Sequence, residues 1–404
     1  MRDRIYDRLL TDHLASNRQM AFVSGPRQVG KTTTCRAVAE QCETSHYLNW
    51  DNRNHRPIIL RGPDAIADRV ELNRLREHPP VLVLDEIRVR EDWQDLLKAV
   101  FDTYGDELAV VVTGSAQLDV FRHGGDSLMG RYFPYRMHPL SVAELVAPTP
   151  ASPALIREPR ELGWADFERL QQMGGFPEPF ERDDTQFYNR WRRMRSQLLF
   201  QEDLRELTRI RELGQVETLS IFVADRAGST VNYSSFARDI GASVNTIKSW
   251  LETLERLYYC FSVRPWHKNV TRALRKQPKY YLWDWSLLDD QGARAENLVA
   301  SALLKAVHYW TDMGHGEFSL HFIRDKQQNE VDFAVVRDGS PWFLVEVKSS
   351  ASKSLSDSLE RFQEQTGADH AFQVAMDAPY GNQDCFTTTE PTIVPALPFL
   401  SQLV

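Results

Sequence analysis

Residues 20–33 read Met20-Ala21-Phe22-Val23-Ser24-Gly25-Pro26-Arg27-Gln28-Val29-Gly30-Lys31-Thr32-Thr33. The opening Met20–Ser24 is an apolar run of strand length, Gly25–Thr32 fits G-x-x-x-x-G-K-[ST], and Thr33 to Gln41 has the character of a helix start. Strand, loop and helix in that order give the pattern its meaning. Gly25 and Gly30 let the backbone turn so that successive N–H groups face one point, and the helix N-terminus adds partial positive charge there. Residues Gly25 to Thr33 therefore form a candidate phosphate cradle. Lys31 would reach the β- and γ-phosphates of ATP, and the Thr32 hydroxyl would hold Mg²⁺.

Working outward, Ser45-His46-Tyr47-Leu48-Asn49-Trp50-Asp51 reads as a second strand, and a helical segment is expected around 64–77. After the Pro79-Pro80 break comes Val81-Leu82-Val83-Leu84-Asp85-Glu86. Consecutive apolar residues followed by two acids describe a strand buried on both faces whose end opens into a site. This is the Walker B pattern: Asp85 would hold the Mg²⁺ shell, and Glu86 would polarise the attacking water. Trp93, Leu96, Leu97, Val100 and Phe101 have the spacing of a core-facing helix stripe. Leu108–Ser115 is the next buried strand, and Ser115 or Thr113 at its end is a candidate γ-phosphate sensor, weighed against a hydroxyl without a role. Alternating strands and helices imply a parallel sheet covered on both faces, with ligands at the carboxyl ends of its strands. Arg131 is a candidate for stabilising charge at the γ-phosphate, from the same chain or a neighbouring copy; an ordinary surface arginine is the alternative.

The chain has 404 residues, 42% of them hydrophobic and 26% charged, with a formal net charge of −8. That length implies roughly two or three domains. The acidic balance excludes a surface that is basic throughout, so any nucleic-acid contact must be local. Cys35, Cys42, Cys260 and Cys385 are scattered and suggest neither a zinc site nor a disulfide framework. No signal peptide or membrane span is read, and a cytoplasmic protein is expected.

The ordered set Gly25–Thr32, Leu84-Asp85-Glu86-Ile87, Thr113-Gly114-Ser115, Gly130-Arg131 and Gly174-Gly175-Phe176-Pro177-Glu178 resembles the prokaryotic AAA-type ATPases that carry a C-terminal domain of unknown function. The resemblance covers nearly the whole chain. Members often have Gln after the Asp-Glu-Ile triplet and further serines after Gly-Ser; here Arg88 and Ala116-Gln117 stand in those places.

Pro148, Pro150, Pro153 and Pro159 mark a boundary loop, and residues 163–226 read as a helical lid. Within it Arg190, Arg192, Arg193 and Arg195 either face phosphate or form a solvated helix face. Residues 229–284 read as a helix-turn-helix: a short helix at Ser234–Asp239, a turn at Ile240-Gly241-Ala242 and a second helix over Ser243–Tyr258. A hairpin follows, with Arg264, Lys268, Arg272, Arg275, Lys276 and Lys279 and no acid between its arms. A winged helix of this kind sets its second helix in a DNA groove and its basic wing on phosphates, or else docks protein. Asn245, Thr246, Lys248 and Ser249 would face the DNA.

The last third carries a second constellation. Glu296 opens an apolar helix, Asp332 lies on a strand, and Glu346 and Lys348 share one face of the next strand. Two carboxylates and a lysine around one point suit Mg²⁺-assisted phosphodiester hydrolysis. The arrangement resembles the PD-(D/E)xK nuclease fold, with Glu296, Asp332 and Glu346 as metal ligands and Glu346 and Lys348 as catalytic groups. Surface alternation on a half-buried strand is the competing reading.

The expected architecture is α/β: a P-loop AAA-type core at 1–147, linker and lid at 148–226, winged helix at 227–290 and nuclease-like domain at 291–404. The expected function is ATP hydrolysis with Mg²⁺, coupled to DNA binding or processing. The alternative is a nucleotide-driven switch whose C-terminal domains bind a protein partner and do not cut DNA. A role for Arg131 across an interface would require a homo-oligomer.

Overall fold

The computed structural model describes residues 2–87, 90, 92–114, 128–149, 154–207, 210–267 and 276–404. The chain divides into two compact units, residues 1–138 with 148–150, and residues 139–147 with 151–404.

The first unit is built on a five-stranded sheet. Its strands are β1 (Met20–Ser24), β2 (Ser45–Asn49), β3 (Val81–Asp85), β4 (Ala109–Gly114) and β5 (Tyr132–Arg136), in the order β2-β3-β4-β1-β5. All pairings are parallel. β1 and β3 are buried along their whole length, as their uninterrupted apolar sequences predict. Helix α1 (Ile5–Ser16) precedes β1, and α2 (Lys31–Ala39) follows the glycine loop. Helix α3 (Trp93–Tyr104) buries Leu96, Leu97, Val100 and Phe101 against the sheet. At about 1.5–3 kcal/mol for each such side chain, that stripe is enough to hold α3 in place. The helix expected over 64–77 is shorter and ends at Arg69. The chain turns left-handed at Glu71 (φ 55), whose carboxylate takes the Arg74 guanidinium at 2.8 Å.

In the second unit the lid segment is helical, from Trp164–Met173 through Leu213–Asp225. Helix α4 (Val142–Val146) comes before it, and α5 (Thr185–Gln197) lies within it. Next come α6 (Tyr233–Ile240), a left-handed turn at Gly241, and α7 (Val244–Arg256), capped by the Ser243 hydroxyl. A seven-stranded sheet then takes β6 (Cys260–Pro265), β7 (Lys279–Leu282), β8 (Phe318–Arg324), β9 (Glu330–Arg337), β10 (Ser340–Lys348), β11 (His370–Ala375) and β12 (Thr392–Pro395). Their order is β12-β11-β10-β9-β8-β6-β7. Helix α8 (Gln291–Asp312) packs on this sheet, with Glu296 in its second turn rather than at its start.

Contacts cross two of the expected boundaries. Residues 139–147 belong with the second unit. There Glu144, on α4, meets Lys305 of α8 in an ion pair with almost no solvent exposure, and Ser141 Oγ donates to the Val404 carbonyl at 2.7 Å. Near residue 290, β6 pairs in parallel with β8 through Arg264–His321 and Pro265–Phe322, so the sheet runs across the expected break. The Gly174-Gly175 pair has a packing reason: a side chain at Gly175 would meet the Leu140 carbonyl at 2.5 Å and the Trp285 ring at 2.7 Å.

Candidate functional site

The parallel register sets Asn49 beside Asp85 and Asp85 beside Thr113 at the carboxyl ends of their strands, with Ser24 leading from β1 into the glycine loop. The loop is held by its own geometry. Gly25, Gln28 and Gly30 all have positive φ, and a Cβ at Gly25 would collide with the Met137 carbonyl oxygen. Pro26, Arg27 and Val29 complete the curl, and Thr32 and Thr33 follow Lys31 in the first turn of α2. The Lys31 ammonium donates to the carbonyls of Gly25 at 2.8 Å and Pro26 at 2.7 Å, which centres a positive charge inside the loop.

Asp85, 4% exposed, is the hub of the site. Its Oδ2 accepts from Thr32 Oγ1 at 2.9 Å and Tyr47 OH at 2.6 Å, and its Oδ1 accepts from Thr113 Oγ1. Asn49 Nδ2 donates to Tyr47 OH at 3.0 Å. Burial and the bond to Asp85 push the Tyr47 phenol up to about 12, so it stays a donor at neutral pH. Glu86 follows in a left-handed conformation (φ 52), its N–H bound to the Thr113 carbonyl at 3.2 Å. A non-glycine residue at such a φ at the end of a buried strand is the kind of local strain that gathers at functional sites.

The structure thus brings Lys31, Thr32, Asp85 and Glu86 to one end of the sheet. It does not bring Arg131 there. Arg131 precedes β5, where its carbonyl bonds Met20 N at the start of β1. The length of β1, roughly 13 Å at strand rise, separates that point from the loop. Its guanidinium forks onto Asp102 at 2.7 and 2.9 Å, so the expected role at this chain's own γ-phosphate is withdrawn. Ser115 lies outside the described residues, as do Arg88, Ala116 and Gln117.

Residues that sequence reasoning missed complete the site. Arg4, 5% exposed, donates to the carbonyls of Val29 and His138, each at 2.7 Å, and so braces the loop from behind. Tyr47 and Asn49 were legible only as parts of a strand; the alternation of polar residues toward its carboxyl end was the available signal.

The second constellation also converges, but on different partners than expected. Asp332 Oδ2 accepts from the Val347 N–H at 2.8 Å, and Glu346 pairs with Lys348 at 2.6 Å. Glu296 accepts from Tyr281 OH at 2.7 Å and lies 3.8 Å from Lys279 Nζ, which itself sits 2.5 Å from Glu330. Burial first, then the Glu296 and Glu346 carboxylates, push the Asp332 carboxyl up to about 7 against the lowering pull of Lys279 and the Val347 N–H. Burial also raises Glu296. Burial opposes the Lys279 charge, but Glu296, Asp332 and Glu330 outweigh it and hold the ammonium above the ordinary lysine range. Among the described residues no group of three or more His, Cys, Asp or Glu side chains is arranged to hold a metal ion. Glu296, Asp332 and Glu346, the expected ligand set, are each held by a protein donor instead.

On the helix-turn-helix, Asn245, Lys248 and Ser249 are exposed, while the Thr246 hydroxyl bonds Ser243 Oγ at 2.8 Å within the helix cap. A cavity of about 530 Å³ opens here, lined by Tyr233, Lys248, Glu252, Glu255 and Arg264 among others, so this face mixes charges. Of the basic loop, Lys268, Arg272 and Arg275 lie outside the described residues, Lys276 is exposed, and Lys279 is buried. In the lid, Arg195 is structural: it pairs with Asp284 at 3.1 Å and stacks 3.8 Å over Phe176.

No helix among the described residues is long and apolar enough to cross a membrane. Residues 17–146 match the family model of an AAA domain, 165–294 that of a domain of unknown function (DUF8612), and 291–390 that of a second one (DUF4143). Among curated proteins, an uncharacterised protein of Mycobacterium tuberculosis is 22% identical over 360 residues, covering 84% of this chain and 72% of the relative. One of Methanocaldococcus jannaschii is 21% identical over 386 residues, covering 87% and 80%. Among solved structures, a Walker-type ATPase of Pyrococcus abyssi gives a TM-score of 0.42 at 14% identity, covering 71% of this chain and 94% of that one. The ORC1 protein of Aeropyrum pernix in complex with DNA gives 0.31 at 18% identity, covering 73% and 91%. The chain thus carries an AAA domain with a P-loop at residues 17–146, followed by two domains of unknown function.

Proposed function

We propose that this protein binds ATP with Mg²⁺ at the glycine loop, hydrolyses it, and couples the cycle to DNA binding by its helix-turn-helix segment. The observation that carries the reading is the 2.9 Å bond from Thr32 to Asp85, which ties the start of α2 to the end of β3. A hydroxyl and a carboxylate side by side next to a phosphate cradle are the oxygen donors Mg²⁺ takes, the carboxylate directly or through water. When bound, Mg²⁺ neutralises charge on the β- and γ-phosphate oxygens.

The chain's own residues do the rest. Backbone N–H groups of residues 27–32 and the dipole of α2 bind the phosphates. Lys31 exchanges its two loop carbonyls for phosphate oxygens and meets charge that grows as the terminal phosphoryl group departs. Asp85, fixed by Thr113 and Tyr47, keeps Thr32 oriented. Glu86, turned out of the strand by its left-handed backbone, accepts a proton from the attacking water and aligns it. On the DNA side, exposed Asn245, Lys248, Ser249 and Lys276 offer donors for bases and phosphates. A homo-oligomer remains part of the proposal only through Arg131, which would have to act on a neighbouring copy.

The test is turnover and ATP binding in Lys31→Ala and Glu86→Gln. Lys31→Ala should lose both, while Glu86→Gln should bind ATP like the parent and turn over at least about 100-fold more slowly, within the range for lost general-base catalysis. Parental hydrolysis rates in both variants would refute the assignment. A second reading, a nucleotide-driven switch whose C-terminal domains bind a partner without cutting DNA, is favoured by Lys279, whose ammonium lies between Glu296 and Glu330. Very slow turnover with ATP-dependent association would support it.

A further inference from the structure

The carboxylates around Asp332 lack a metal-holding arrangement, and the chain itself shows what fills the space. Lys279 comes from β7, at the far edge of the sheet, and is 3% exposed. Its ammonium lies over the Phe322 ring, with Nζ 5.4 Å from the centroid, and between Glu330 at 2.5 Å and Glu296 at 3.8 Å. Each acid has a donor from the protein: Glu296 takes Tyr281 OH and Lys279, Glu330 takes Lys279 and Arg324, Asp332 takes the Val347 N–H, and Glu346 takes Lys348. Glu346 Oε2 alone is buried without a partner.

We propose that Lys279 is the resident counter-ion of this cluster, an ammonium held between Glu296 and Glu330 that keeps a divalent cation from gathering at Glu296 and Asp332, so that the C-terminal domain does not hydrolyse phosphodiesters there. A divalent ion drawn to Glu296 and Asp332 would have to sit within a few ångströms of a buried like charge that cannot retreat to solvent. The same ammonium has a second effect. It is contributed by the hairpin that follows the helix-turn-helix, and it grips acids on α8 and β9, so it ties that hairpin to the C-terminal sheet. Neither statement depends on the ATPase reading.

The test uses the full chain without nucleotide. Mn²⁺ binding is titrated by the electron paramagnetic resonance signal of free Mn²⁺ in the parent, Asp332→Asn, Lys279→Met and the double variant. Parent and Asp332→Asn should bind the same amount of Mn²⁺. Lys279→Met should gain one site at least tenfold tighter than any of the parent's, and Asp332→Asn should remove it. A parental Mn²⁺ site that vanishes in Asp332→Asn would overturn the proposal. So would a Lys279→Met protein with parental circular dichroism that gains no site. If Lys279→Met does not fold, the comparison of parent with Asp332→Asn still decides.

Discussion

At the residue scale, the phosphate loop was legible because everything that defines it is contiguous. Two glycines, a lysine and a threonine at fixed spacing dictate a curl of N–H groups whatever lies elsewhere. Asp85 and Glu86 were legible for a similar reason, since acids directly after a buried strand have few other places to point. Arg4 and Tyr47 were not, because their partners lie 25 and 38 residues away and an arginine or tyrosine alone carries no address. His13 belongs with them. Its Nε2 lies 2.8 Å from the Gln19 carbonyl, which can only accept, so Nε2 carries the hydrogen and Nδ1 accepts from Tyr135 OH at 2.8 Å. Burial lowers the pKa of this neutral imidazole below its ordinary value. Because the unfolded chain then takes up the proton first, stability is full above about pH 6.5 and falls as pH drops toward the folded-state pKa. Denaturant midpoints measured from pH 7.5 to 5 should decline below about 6.5, and His13→Gln should flatten that decline; an unchanged slope would remove His13 as its source.

At the scale of elements, the long helix α8 could be read from its apolar stripe, and β9 pairs antiparallel with β10, the condition on which Asp332 could join Glu346 and Lys348. Helix ends were less legible. The segment at 64–77 has helical spacing, yet the left-handed turn at Glu71 stops it, and no local residue announces that turn. Lys305 interrupts the apolar face of α8, and its meaning lay with Glu144, 161 residues earlier. Both side chains are at most 1% exposed. Removing one partner strands a buried charge, so Lys305→Ala or Glu144→Ala should each cost about 3–5 kcal/mol. The pair Lys305→Met/Glu144→Leu should lose much less than the sum of the single variants. Additive losses in denaturant unfolding would mean that the two groups act independently, against the geometry.

At the scale of the whole molecule, an acidic chain that contacts DNA must do so through a few cations. Lys248 and Lys276 are exposed on the helix-turn-helix and its hairpin, while Lys279, expected beside them, is buried in an ionic cluster. If both exposed lysines meet phosphates, Lys248→Gln/Lys276→Gln should reduce the slope of log affinity against log salt by about 1.8, in duplex binding measured between 50 and 200 mM salt. An unchanged slope would take DNA off this face. The succession of a helix-turn-helix pattern and a nuclease-like pattern suggested a seam near residue 290, because such patterns say nothing of which strand edges meet. Yet β6 lies beside β8, and the Trp266 N–H extends their pairing to the Phe322 carbonyl at 2.7 Å. Severed at that apparent seam, each piece would carry a raw edge of unanswered N–H and C=O groups, a template for the first extended chain it met. The helix-turn-helix segment and the last domain therefore each cover a strand edge of the other, and a cut between them would cost both that cover.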